Sequence, residues 1–168
     1  MSDLIGRSAI QQLHAQNGYV YHGSDKRLEL IEPRQAFSVD KVSGMRDKDG
    51  EPAVCASADF ELAIFRAVIN RYRDEENGRP HYSGWSGSTN DWVFYTLRSS
   101  LEAAKNPATK GYVHVLDKEL FTAYRGEMRA YTSVTPAHVV EVGYVDLPKN
   151  IQVFDSVQEI QDYSQTLQ

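Results

Sequence analysis

The sequence predicts one domain of the mixed α+β class, with a sheet that is largely antiparallel. Its 168 residues fit a single domain spanning 1–168, and with 41% hydrophobic residues the chain can bury a substantial core. Apolar residues recur at helical spacing in the first half, whereas the second half contains several short apolar runs in succession. A succession of strands without intervening helices is typical of antiparallel sheets.

The first half is predicted to alternate helices with strands. Asn17-Gly18 is a good stop for an N-terminal helix. Ser-Ala-Asp at 57–59, followed by Glu61, could cap the next helix. The predicted elements are a helix over 3–16, a strand over 19–22, an extended segment over 28–31, a flexible polar loop over 37–52, a strand over 53–56 and a helix carrying Leu62, Phe65, Ile69 and Tyr72.

The second half is predicted to be mainly strands joined by polar connections. The predicted elements are a loop over 74–90, a strand over 91–97, a turn or short helix over 100–105, a buried strand over 111–116, strands over 130–134 and 139–147, and a terminal helix over 156–167. Within the first of these loops, residues 74–76 (Asp-Glu-Glu) are expected to form a solvated surface.

Composition excludes several function classes. The net charge of −5 is unfavourable for a general binder of the nucleic-acid backbone, because that affinity comes from basic patches. The single cysteine, Cys55, excludes an internal disulfide and a cysteine-built zinc site. No metal is assigned to the scattered histidines His14, His81, His114 and His138. No apolar stretch suggests a membrane span and no signal-peptide pattern is present, so a cytoplasmic location is expected.

Two short segments about a hundred residues apart carry residues with useful chemistry. In the first, His22 could hydrogen-bond a sugar hydroxyl through one ring nitrogen while the protein fixes the other, and Gly23 permits close backbone approach. In the second, Glu127 enters a strand, where its carboxylate could stabilise a developing positive charge. The structural alternatives are a half-buried histidine at a strand end and a solvent-exposed glutamate on a loop.

The order of these segments resembles that of the diphtheria-toxin-like ADP-ribosyltransferases, which include the poly-ADP-ribose polymerases. Tyr-His-Gly-Ser at 21–24 is similar to the Trp-His-Gly-Ser or Tyr-His-Gly-Thr of that family. Val-Cys-Ala-Ser at 54–57 stands where the family has Tyr-Phe-Ala-Asp, and Leu-Ala-Ile-Phe at 62–65 stands where it has Ser-Ala-x-Tyr. Glu127 is followed four residues later by Tyr131, as in the family, and then by an apolar strand.

The resemblance implies an ADP-ribosyltransferase-like fold, a split and largely antiparallel sheet with flanking helices, that binds NAD as a substrate. His22 would bond the adenosine-side ribose, Gly23 would pair with the nicotinamide carboxamide, and Phe65 would stack on the nicotinamide ring. Glu127 would be catalytic, together with His22. The remaining residues expected to contact NAD are Tyr21, Ser24, Val54, Ser57 and Tyr131.

Two positions depart from the family pattern. Val54 replaces the family tyrosine, and Leu62 replaces the serine that bonds the carboxamide, a role that nearby Ser57 could take over. The loop 37–52 would border the adenine side. Charge for the pyrophosphate could come from three residues that no motif supports, Arg34, Lys41 and Arg46.

The sequence therefore predicts an NAD-dependent mono-ADP-ribosyltransferase that passes ADP-ribose to a protein or nucleic-acid acceptor. By analogy of fold it could be a toxin-like bacterial or phage effector. Arginine is a poor candidate for the modified residue, because Arg125 stands where arginine-modifying relatives carry an acidic residue. The alternative is an inactive nucleotide- or partner-binding module, favoured by Val54 and Leu62. The acidic balance disfavours a third possibility, an NAD-using RNA 2′-phosphotransferase. The oligomeric state stays open.

Overall fold

The computed structural model describes residues 4–40, 43–88 and 90–167 and has the mixed α+β architecture that the sequence predicts. Its helices are α1 (Gly6–His14), α2 (Phe60–Val68), α3 (Arg71–Glu76), α4 (Arg98–Ala104) and α5 (Val157–Thr166). Its strands are β1 (Leu4–Ile5), β2 (Tyr19–Ser24), β3 (Phe37–Val39), β4 (Arg46–Lys48), β5 (Val54–Ala56), β6 (Ser83–Ser86), β7 (Val93–Leu97), β8 (Gly111–Asp117), β9 (Thr122–Tyr124), β10 (Glu127–Ala130), β11 (His138–Val142) and β12 (Ile151–Phe154).

The strands form several sheets in which most neighbours are antiparallel. The largest has the order β1-β11-β8-β2, with only its β1–β11 pair parallel. A second sheet, β5-β10-β9, is antiparallel throughout. The third, β12-β7-β6, combines a parallel and an antiparallel pair, and β3 and β4 form a separate hairpin. The expectation of antiparallel sheets with flanking helices is confirmed at this level.

Two hydrophobic clusters lie on opposite faces of the largest sheet. Tyr21 and Val115 face the cluster that includes α1 and α2. Val20 and Leu116 face the other cluster, which the second sheet completes. Successive side chains of a strand point to opposite faces, so β2 and β8 must be apolar on both faces.

The first two sheets meet at the edge of β2 that does not pair with β8. Tyr21 and Ser57 exchange two backbone hydrogen bonds of 2.8 Å, which join β2 to the residue that follows β5. Helix α2 then begins where predicted, since the Asp59 side chain accepts the N–H of Glu61 at 2.9 Å. This arrangement brings β2, β5 and the start of α2 around a common space.

Several sequence-based boundaries are wrong. The N-terminal helix begins at Gly6, because residues 4–5 pair with β11 as a short strand; Asp3 lies outside the described residues. The loop 37–52 contains the β3–β4 hairpin, whose strand residues are all exposed. Residues 28–31 form no strand beyond a single bridge between Ile31 and Val134.

In the second half, the strand expected at 130–134 is β10 and ends at Ala130. The strand expected at 139–147 ends at Val142, and a 3₁₀ turn over Tyr144–Asp146 follows. The loop 74–90 includes the end of α3 and all of β6. Strand β12 was not predicted, although its Ile-Gln-Val-Phe alternates. Among the described residues, no helix is long and apolar enough to span a bilayer.

Candidate functional site

A cavity of about 240 Å³ lies between the ends of β2 and β5, the first turns of α2 and the turn before β10. Five of the residues selected from the sequence line it: Tyr21, His22, Gly23, Ser57 and Glu127. Residues from opposite halves of the chain therefore meet at one cavity. Two tryptophans complete its wall, and Trp92 is fixed by a 2.7 Å hydrogen bond from Nε1 to the Asp59 carboxylate.

Four selected residues are not part of this wall. Val54 and Phe65 are buried in the two hydrophobic clusters, and the ring of Phe65 packs against Phe94 with centroids 4.8 Å apart. Tyr131 is exposed beyond the end of β10. Ser24 ends β2, where its hydroxyl accepts the N–H of Lys26. The ring-stacking role expected for Phe65 therefore does not fit its position.

A different face of α2 borders the cavity. Leu62 and Arg66 are one helical turn apart and both line it, together with Ala63. The guanidinium of Arg66 lies 5.5 Å from the ring centre of Trp85, another wall residue. Arg66 was not predicted to be a site residue, because a lone arginine on an apolar helix carries no motif.

The His22 ring is held by the backbone of β5. Its Nδ1 lies 2.8 Å from the Cys55 carbonyl oxygen, which can only accept, so Nδ1 carries the proton and Nε2 is the free acceptor of the neutral ring. Burial lowers the pKa of His22, and the charges of Arg66 and Arg34 lower it further, against the opposing effect of the Cys55 bond. A neutral His22 would accept a hydrogen bond from a hydroxyl through Nε2.

The backbone of Gly23 points toward the cavity. In a strand, the N–H and C=O groups of alternate residues face the same edge. The N–H and C=O of Tyr21 bond Ser57. The N–H and C=O of Gly23, two residues later, therefore face the same edge of β2, beside the cavity. A donor and an acceptor are thus available side by side for a planar amide.

A tight hairpin places Glu127 at the mouth of the cavity. Tyr124 pairs with Glu127 across β9 and β10, and the two residues between them, Arg125 and Gly126, have φ values of 47° and 82°. Positive φ at both central positions is characteristic of a type I′ turn. The Glu127 side chain is 33% exposed, so solvent can reach its carboxylate.

The Glu127 carboxylate is held by a buried arginine. Arg129 is 1% exposed, and its Nε and Nη2 lie 2.8 and 2.5 Å from Oε1 of Glu127. Its Nη1 donates to the Asp49 carbonyl at 2.6 Å, and Nη2 lies 3.2 Å from Asp49 Oδ2. The Tyr124 ring covers the guanidinium at 3.9 Å. Neither Arg129 nor Asp49 was predicted to be a site residue, because their contact joins residues 80 positions apart in the chain.

Cys55 also lies beside Glu127. Burial raises the pKa of the Cys55 thiol, and the Glu127 carboxylate raises it further, although Arg129 and Arg66 oppose the shift. A thiol with a raised pKa is a poor nucleophile near neutral pH. The residue therefore acts as a small, neutral part of the wall.

The expected phosphate-binding cations are only partly at the site. Arg34 is exposed but close enough to His22 for its charge to act on the ring. Arg46 packs over Phe37 within the β3–β4 hairpin and does not line the cavity. Lys41 lies outside the described residues. Arg66 and Arg125 are the cations in the wall itself.

A second polar cluster lies away from this cavity. Asp74 is 3% exposed, so the solvated surface expected at 74–76 is wrong for this residue. It accepts hydrogen bonds from Arg79, His81 and Ser100 at 2.7–3.0 Å. In the described ranges no group of three or more potential ligands could hold a metal ion.

Neither the models of known protein families nor the curated proteins and solved structures include a match to this chain.

Proposed function

We propose that the chain is an NAD-dependent mono-ADP-ribosyltransferase. One observation carries the proposal: His22, Gly23 and Glu127, which are far apart in sequence, line a single cavity in which the Glu127 carboxylate is held in place. In the reaction, the bond between the nicotinamide nitrogen and ribose C1′ breaks and its electron pair leaves with nicotinamide. A lone pair of the acceptor forms the new bond to C1′, and the acceptor proton passes to solvent.

The cavity offers a partner for each part of the reacting half of NAD. The N–H and C=O of Gly23 suit the carboxamide, and Nε2 of His22 suits a ribose hydroxyl. Glu127 can accept from the 2′-hydroxyl and stabilise the positive charge that develops on the ribose as nicotinamide leaves. Arg66 and Arg125 suit the diphosphate.

The cavity is smaller than the sites that usually enclose a drug-sized ligand, which measure about 300–1,000 Å³. At about 240 Å³ it could not enclose a whole NAD, so the proposal places only the nicotinamide half inside it. The exposed Arg34, whose charge acts on His22, is a candidate to meet the adenosine half.

A non-catalytic nucleotide-binding module is the second candidate. Leu62 favours it, because this apolar side chain lines the cavity where the resembled family carries a serine that bonds the carboxamide. Such a module would bind NAD or ADP-ribose without releasing nicotinamide.

The test is to incubate the purified protein with NAD and to measure both nicotinamide release and NAD binding. We expect release from the wild type, loss of release in Glu127→Gln, and wild-type behaviour in Glu119→Gln, a matched change at an exposed glutamate. Binding without release would favour the second candidate. Release that survives in Glu127→Gln would contradict the proposed mechanism, and a folded protein with neither activity would contradict both candidates.

A further inference from the structure

We propose that Arg129 is a positioning residue for Glu127, and that Asp49, at the end of the β3–β4 hairpin, orients the Arg129 guanidinium. This inference rests on the proposed function, since it assigns Glu127 the reacting role. It adds a chain of three charged groups, Asp49, Arg129 and Glu127, that connects an exposed hairpin to the carboxylate at the cavity.

The burial of Arg129 indicates a specific role. An arginine at an inward position of β10, opposite Cys55 on β5, is costly to desolvate unless its donors are paired. Both donors on one side of the guanidinium converge on a single oxygen, Oε1 of Glu127. The carboxylate is thereby fixed through one of its oxygens, Oε1.

Asp49 holds the end of the guanidinium, with its backbone carbonyl on Nη1 and its carboxylate on Nη2, the nitrogen that also bonds Glu127. The Tyr124 hydroxyl donates to Asp49 Oδ1 at 3.2 Å, and the Asp49 N–H donates to the Ala36 carbonyl at 2.9 Å. Gly50 follows with φ of 74°, and a Cβ there would stand 2.7 Å from Nη1 of Arg129. The turn after β4 therefore packs closely against the Arg129 guanidinium.

The planar fork of arginine is what this arrangement requires. It donates to Glu127 through Nε and Nη2 and to Asp49 through Nη1 and Nη2, whereas the ammonium of lysine is a compact point charge. Arg129→Lys keeps the positive charge near Glu127 but loses the orientation. Misplacing a reacting group by about 1 Å can cost about 100-fold in rate. The loss should fall on kcat, because substrate contacts made by other residues remain.

Asp49 acts on Glu127 only through Arg129 in this scheme. Removal of the Asp49 side chain should therefore lower kcat in the wild type and should have little further effect once Arg129 is lysine. A double-mutant cycle measures this dependence directly, because changes that act through one shared group do not add.

The experiment measures kcat and KM for nicotinamide release, with thermal unfolding to verify the fold, in Arg129→Lys, Asp49→Ala and the double variant. We expect about a 10- to 100-fold fall in kcat for Arg129→Lys with little change in KM. Asp49→Ala should give a smaller fall, and the double variant should match Arg129→Lys. Arg98→Lys, in an exposed pair with Asp155, is the matched control and should behave as the wild type.

An unchanged kcat in Arg129→Lys, a loss confined to KM, or additive effects in the double variant would each overturn the positioning role. If Arg129→Lys fails to fold, Asp49→Ala provides the test, because Asp49 is at a partly exposed turn. An unchanged kcat in Asp49→Ala would contradict the proposal that Asp49 acts on Glu127 through Arg129. A wild-type protein that releases no nicotinamide would overturn the proposed function itself, and this inference with it.

Discussion

Gly23 lies so close to the backbone of Ala63 that a Cβ on the glycine would stand 2.0 Å from the Ala63 carbonyl oxygen. On the neighbouring strand, a Cβ at Gly111 would stand 2.4 Å from the carbonyl oxygen of Ala67. Two glycines on adjacent strands thus face two alanines on α2, spaced one turn apart. The same close packing that requires Gly23 also holds Leu62 and Arg66 at the cavity.

Gly23→Ala is therefore expected to destabilise the protein by about 3 kcal/mol or more, because a helix backbone cannot move aside without disturbing the core. Gly18→Ala is the matched control, since a Cβ at Gly18 meets nothing within 4 Å. It should change the free energy of unfolding by less than about 1 kcal/mol. Urea denaturation of both variants makes the comparison, and equal stabilities would contradict the packing argument.

The buried Asp74 carboxylate joins three elements of the fold. Burial by itself would raise the pKa of Asp74, but hydrogen bonds from His81, Ser100 and Arg79 outweigh it and lower the pKa. The carboxylate thus ties the end of α3 to α4 and to the segment before β6. His81 in turn bonds the Ser83 hydroxyl at 2.7 Å, which extends the network into β6.

Asp74→Asn should cost about 3 kcal/mol of stability at neutral pH, because it removes the buried carboxylate charge to which the partly exposed Arg79 guanidinium and two further donors are bonded. The neighbouring exposed Glu75, paired with Arg71 on the same helix, offers a control. Glu75→Gln should cost less than about 0.5 kcal/mol. Chemical denaturation at pH 7 would contradict the structural role if the two variants proved equally stable.

Some of these features could be predicted from the sequence, because they depend on residues that are close together in the chain. The cap at Asp59 follows from side-chain chemistry within three residues, and the buried strand β8 follows from its nearly continuous apolar run. The face of α2 that meets the cavity did not follow, because Leu62 and Phe65 are both apolar and periodicity does not say which one meets the core. Contacts such as Asp49–Arg129 depend on how distant segments assemble, and no local pattern indicates them.

Acid should destabilise the fold through two neutral histidines. His114 faces His22 directly across β8 and β2 and is fully buried. Its Nδ1 donates to the His22 carbonyl at 3.2 Å, and its Nε2 accepts the N–H of Leu28 at 2.9 Å, so only the neutral ring satisfies both partners. Burial, with a smaller effect of His22, lowers the pKa of His114 from 6.5 to about 4, and burial lowers that of His22 as well.

The lowered pKa values of His114 and His22 determine whether acid raises or lowers the stability of the fold. Well above the ordinary histidine pKa of 6.5, both rings are neutral in the folded and unfolded chains, and neither ring makes stability depend on pH. As the pH falls through 6.5, the unfolded chain binds protons that the folded chain excludes, so stability falls with pH. For His114 the slope approaches about 1.4 kcal/mol per pH unit, and its loss levels off below its folded pKa at about 3 kcal/mol. His22 adds a slope of the same sign.

Urea unfolding between pH 7.5 and about pH 4.5 tests this expectation, a window in which the folded His114 stays largely neutral. His114→Gln keeps an amide donor and an acceptor but cannot titrate, so the slope should fall to the part that His22 supplies. Leu116→Ala, at an adjacent core position of β8, should lower stability at every pH and leave the slope unchanged. If His114→Gln keeps the wild-type slope, the acid sensitivity arises elsewhere. If its slope falls as expected, proton uptake by the unfolded chain at His114 is the cause.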